Sequence, residues 1–97
     1  MIEVETFKSP KINDSDRYVI HVSHLGHTVK KKFAVTGLMR ETCEGDAHEA
    51  YLSLLRRRVD EGYRDCLYEE YGDSWREHVK PLIENELVID GEKIETR

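Results

Sequence analysis

Apolar and acidic positions alternate at the start of the chain. Ile2 and Val4 fall between Glu3 and Glu5, the period of a strand with one buried face, and this predicts a strand over residues 1–8. Residues 9–16 gather Ser, Pro, Asn and Asp and read as a loop. Two β-rich runs, 17–23 and 28–35, then flank His24, Leu25, Gly26 and His27. A two-residue turn at Leu25 and Gly26 pairs Val22 with Val29, Ile20 with Lys31 and Tyr18 with Phe33. One face of that hairpin carries Tyr18, Ile20, Val22, Val29, Phe33 and Val35, and the other carries Val19, His21, Ser23, Thr28, Lys30 and Lys32. A slip by one residue would drive Lys30 and Lys32 into the core, so the pattern selects this register.

The pattern breaks from 36 to 45 and resumes with a helical period. Asp46 followed three residues later by Glu49 is a capping-box-like start, and Ala47, Ala50, Tyr51, Leu54, Leu55 and Val59 fall on one helical face. Arg56, Arg57 and Arg58 suit the negative end of a helix dipole. Gly62 reads either as the stop or as an interior glycine; in the second case the helix runs through Cys66 and Leu67 to about Tyr71. Gly72 and Asp73 break it, and Ser74 with Glu77 forms a second capping box. Trp75, Val79, Leu82, Ile83 and Glu86 continue at helical spacing, with Pro81 kinking or splitting the segment. Leu87, Val88 and Ile89, the turn signal Asp90-Gly91, and residues 92–94 read as a short hairpin. The expected architecture is a single α+β domain over 1–97: an antiparallel sheet, built from the N-terminal strand, the hairpin and a short C-terminal hairpin, packed on one face by two helices.

Charge changes this picture because it is divided. Residues 1–40 carry seven Lys/Arg against four Asp/Glu, and residues 41–97 carry eight against sixteen, so +3 and −8 make up the net −5. Over 60–77, seven acids face two arginines, along about 27 Å of surface at helical rise. No stretch approaches the roughly 20 apolar residues of a membrane helix, and the acidic N-terminus is unlike a signal peptide. Two cysteines, Cys43 and Cys66, are too few for a disulfide scaffold and suit a reducing cytoplasm, though one bridge between them stays open.

Candidate chemistry is sparse. His21, His24 and His27 recur every third residue, but that spacing on strands puts neighbours on opposite faces, and no Cys-x-x-Cys pair supports a metal site. Cys43 lies among Glu41, Glu44 and Asp46, which raise a thiol pKa and disfavour a nucleophile. No hydrolase elbow, phosphate loop or zinc-protease motif is present, and adjacent carboxylates such as Glu69 and Glu70 point apart on a helix. Neither an enzyme nor a bound cofactor or metal is expected.

Two binding readings follow. The first is an acidic interaction module of the cytoplasm, monomer or homodimer, that meets a basic protein surface. Asp60, Asp65, Glu69, Glu70, Asp73 and Glu77 supply its field, and whichever of Tyr63, Tyr68, Tyr71 and Trp75 are exposed anchor the contact. Such a module resembles, in charge alone, the small DNA-mimicking inhibitors of phages and mobile elements, which occupy the basic groove of a nucleic-acid-handling protein. The alternative is a small nucleic-acid-binding regulator using His21, Lys30, Lys32, Arg56, Arg57 and Arg58. The order strand, turn, strand, helix over 18–22, 28–35 and 46–58 is loosely similar to integrase arm-type and AP2-like DNA-binding domains, over less than half of the chain and with no diagnostic motif. Against it, no aromatic of the hairpin lies beside the lysines, and the acidic remainder repels phosphate. A third reading is strand addition to another chain through residues 1–8 or the terminal hairpin.

Overall fold

The computed structural model describes residues 1–12, 15–36, 47–82 and 86–93. Along the chain run β1 (Ile2–Ile12), β2 (Ser15–His24), β3 (His27–Val35), α1 (Ala47–Tyr71), a 3-10 helix (Gly72–His78), β4 (Leu87–Ile89) and β5 (Glu92–Lys93). They form a five-stranded sheet in the order β3-β2-β1-β4-β5, with one α-helix among the described residues.

The hairpin has the register that the alternation selects: Tyr18 opposite Phe33, Ile20 opposite Lys31, Val22 opposite Val29. Its turn places Leu25 at φ 53° and Gly26 at φ 78°, two left-handed positions whose twist matches the flanking strands. The terminal hairpin repeats the device with Asp90 at φ 51° and Gly91 at φ 82°. The expected loop over 9–16 is mostly strand, because β1 continues to Ile12 and β2 begins at Ser15, with a register shift between Ser9 and Ile12. Pro10 falls in that shift. Even-numbered β1 residues bond away from β2: the Ile2 amide donates to the Glu86 carbonyl, and the Val4 carbonyl accepts from Asp90. Beyond β4 no described strand pairs with that edge at Lys8 and Pro10, a charge and a missing donor that discourage strand addition. On the opposite edge, Arg58 donates to the Lys32 carbonyl and covers part of β3.

The sheet is mixed and not purely antiparallel. β1 pairs parallel with β4, Ile2 opposite Leu87 and Val4 opposite Ile89, so β1 is the middle strand. The Asp90 carboxylate locks this junction by accepting from both the Thr6 amide at 2.8 Å and the Thr6 hydroxyl at 2.5 Å.

One face of the sheet meets α1. Ile2, Val4, Ile20, Val22, Phe33, Val35 and Leu87 pack there against Ala50, Leu54, Leu55, Val59, Tyr63 and Leu67. Tyr18, Phe33 and Tyr51 stack at one end of this interface, with ring centroids between 4.7 and 5.8 Å apart. Gly62 is interior to the helix, and its role is spatial: a Cβ there would lie 2.7 Å from two side-chain carbons of Val22.

The second expected helix is not α-helical. Gly72, at φ 60°, ends α1, and a 3-10 helix follows as far as His78 before Val79 turns extended at ψ 127°. Ser74 does not cap it; its hydroxyl donates to the Tyr71 carbonyl instead. Between the break at Gly72 and the missing amide of Pro81 there is too little chain for an α-helix to recover its nucleation cost. Trp75, Val79 and Leu82 still pack against the core, held by Tyr63, whose hydroxyl donates to the His78 carbonyl and accepts from the Lys80 amide. The Asp46 cap, Cys43, Ile83 and Ile94 lie outside the described residues.

Gly62→Ala should destabilise the fold although alanine favours a helix by about 1 kcal/mol. Overpacking typically costs about 1–3 kcal/mol, so a net loss of about 1 kcal/mol is expected from the urea midpoint. Adding Val22→Ala should cost less than the two single losses combined. An unchanged or raised midpoint for Gly62→Ala would refute the close approach.

Candidate functional site

The carboxylates after residue 60 are largely spent within the molecule. Asp60 accepts from Arg64 at 3.0 Å and Glu61 from Arg58 at 3.0 Å, both one turn apart on α1. Asp65 holds Lys31 at 2.6 Å, and Glu70 holds His27 at 2.8 Å, so these two tie the helix to β3. Of the expected acidic surface, Glu69, Asp73 and Glu77 are exposed and form no ion pair with another described residue. Tyr63 is core, at 1% exposure, while Tyr68 and Tyr71 are exposed at 52% and 37%. Tyr71 stacks on His78 with ring centroids 3.6 Å apart, and the half-buried Trp75 lies under the Arg76 guanidinium at 5.2 Å. A depression of about 320 Å³ beside them is lined by Lys31, Glu61, Arg64, Asp65, Tyr68 and Trp75, charges of both signs.

The other face of the sheet is different in kind. Side chains alternate along a strand, so the residues between the core positions point away from α1. The pairing sets them in rows: Glu3, Ser23 and Thr28; Glu5, His21 and Lys30; Phe7, Val19 and Lys32; Ser9, Arg17 and Ala34. No described helix packs on this face. Arg17, Lys30 and Lys32 are exposed and make no ion pair with a described residue. Phe7 is 47% exposed, and its ring meets His21 at 5.0 Å between centroids. An aromatic therefore does lie beside the lysines, against the expectation from the hairpin alone, because β1 contributes it. A shallow depression of about 420 Å³ opens towards the far end of these rows, lined by Ser9, Pro10, Arg17, Tyr18, Val19, Lys32, Phe33 and Ala34.

The basic residues expected to act together are divided. His21, Lys30 and Lys32 share the open face, whereas Arg56 and Arg57 are exposed on α1, on the other side of the sheet, and Arg58 serves Glu61 and the β3 edge. Lys31 also points to the helix side. Phe7 and Arg17 are additions that the sequence reading missed. Their signal was parity: Phe7 is odd where Ile2 and Val4 are even, and Arg17 alternates with Tyr18.

The histidines and the buried thiol are committed elsewhere. His24 donates from Nδ1 to the Met1 carbonyl at 2.7 Å, and His27 is held by Glu70. Among the described residues no three of His, Cys, Asp and Glu gather as metal ligands. Cys66 is a buried free thiol, with Sγ donating to the carbonyls of Val22 and His27 at 3.6 and 3.5 Å. Burial pushes its pKa up, the charges of Asp65 and Glu69 add to this, and a backbone hydrogen bond from His24 opposes it. The thiol form is favoured, which is the opposite of an activated nucleophile. Burial likewise raises the Tyr51 phenol, opposed by its hydrogen bond with Thr6. No described helix is long and apolar enough to cross a membrane.

No family model, curated protein or solved structure matches this chain.

The raised thiol makes stability depend on pH in one direction. Cys66 contributes fully below the unfolded thiol value of about 8.5, and that contribution is lost as pH rises through the higher folded value. Urea midpoints should therefore decline above about pH 8.5, and Cys66→Ala should flatten the decline. An equal decline in the variant would show that Cys66 is not its source.

Proposed function

We propose that this chain is a small non-enzymatic module that binds nucleic acid on the open face of its sheet. The observation that carries the reading is the placement of Phe7, about half exposed, on the same face as Arg17, Lys30 and Lys32, whose charges no described carboxylate neutralises. Free cations attract phosphate, and an exposed ring offers a base a surface to lie on. The acids of α1 do not veto this. A helix packed on a sheet stands about 10 Å from it, and the screening length at physiological salt is about 8 Å.

A second reading retains a specific observation. Glu69, Asp73 and Glu77 remain unpaired among the described residues, beside the exposed Tyr68 and Tyr71, and this end of α1 suits a basic protein surface. Partial neutralisation of Asp60 and Asp65 by the chain's own cations weakens it relative to the first. In that case a partner captured by the wild-type chain should be released at raised salt and lost with Glu69→Lys and Asp73→Lys together; capture indifferent to both would exclude it.

For the first reading, anisotropy of labelled oligonucleotides should show affinity falling with salt. Three phosphate contacts predict a slope of log K against log salt of about −2, or roughly a 15-fold loss between 50 and 200 mM. Lys30→Gln with Lys32→Gln should leave a slope of about −0.7. Absence of binding at 50 mM salt, or binding that ignores salt, would overturn the reading.

A further inference from the structure

Resting on that reading, we infer that the nucleic acid taken by the open face is single-stranded, with one base laid on Phe7 and an adjoining phosphate held between Arg17 and Lys32. Phe7 sits opposite Val19, and Val19 sits opposite Lys32, so the ring and this ammonium occupy one row, two strand spacings or about 10 Å apart. Arg17 lies one row on. It is a diagonal neighbour of both Phe7 and Lys32, with Cβ separations of about 7–8 Å in each direction. The long side chains of Arg17 and Lys32 can thus converge over the depression they line, where the Ser9 hydroxyl is a third donor. His21 supports the Phe7 ring from the next row.

The surroundings decide between one strand and two. Glu3 and Glu5 are exposed on the same face and mark one end of β1, so only a narrow track past Phe7, Val19, Arg17 and Lys32 is free of negative charge. A second phosphate backbone alongside the first would cross those carboxylates. Moreover the bases of a duplex lie against one another, and a sheet face whose one exposed large apolar ring among the described residues is Phe7 offers no wedge to part them. An unpaired strand presents its base faces already free.

Three fluorescein-labelled probes of equal length, read by anisotropy at 50 mM salt against the wild type and Phe7→Leu, separate the possibilities: oligo-dT, an abasic strand with the same phosphates, and a duplex. Oligo-dT should bind about 5- to 100-fold more tightly than the abasic strand, with Phe7→Leu removing most of that difference and circular dichroism unchanged. Arg17→Gln should weaken oligo-dT and the abasic strand alike. If the abasic strand binds as well as oligo-dT, or the duplex binds better than both, the stacked single strand is wrong while the nucleic-acid reading stands. If none of the probes binds, both fall, and the protein-partner reading takes their place.

Discussion

The contact between Val22 and Gly62 decides how the rest of the molecule is arranged. Only a glycine lets the helix backbone come down onto β2 at that point, since a Cβ would overlap the Val22 side chain. One turn further on, Cys66 reaches the Val22 and His27 carbonyls, and the next residue after Gly62, Tyr63, holds the chain beyond the helix through His78 and Lys80. Close seating at this point puts Leu54, Leu55, Val59 and Leu67 over the same side of β2 and β3. A single helix placed so covers one face of the sheet. Among the described residues, no helix packs on the opposite face.

The same seating explains why the charge division along the chain is a poor guide to the charge distribution in space. Basic β3 and acidic α1 lie against each other, so Lys31 finds Asp65 and His27 finds Glu70. Each such half-exposed pair is worth at most about 1 kcal/mol to stability. Its effect on the external field is larger, because the Lys31–Asp65 pair removes one charge of each sign from what a partner can sense. What survives includes groups that geometry keeps apart: Arg17, Lys30 and Lys32 behind the sheet, with Glu3 and Glu5 at one end of that face, and Glu69, Asp73 and Glu77 towards the end of the helix.

The elements that were legible in the sequence are those whose signal is local. The hairpin register followed from a two-residue period with a turn between, and the first part of the helix followed from apolar spacing, with its run through Gly62 to Tyr71 one of two readings that the pattern left open. Two features were not legible, for opposite reasons. The capping signature at Ser74 and Glu77 was genuine in pattern, but Gly72 before it and Pro81 after it leave room only for a 3-10 turn. The parallel pairing of β1 with β4 joins residues more than eighty positions apart, and no local pattern encodes it. The open face was hidden for a separate reason, since Phe7 gains meaning only once β1 is laid beside β2 with Phe7 opposite Val19.

A sheet that leaves Phe7 half exposed forgoes some of the stabilisation that burial brings, on the order of 1 kcal/mol for half of a phenyl ring. Folding does not require this. The core closes through Ile2 and Val4 on the other side of the same strand. Charged groups surround the ring: Arg17, Lys30, Lys32, Glu3 and Glu5 share its face, Arg58 covers part of one edge, and Pro10 lies in the register shift of β1. The free energy that burial does not collect remains available to whatever covers the ring. Its size is comparable with that of one stacked base, about 1–3 kcal/mol. Under the proposed reading, one ring and three cations would give a contact of modest strength that depends on ionic conditions, suited to being made and released more than to being permanent.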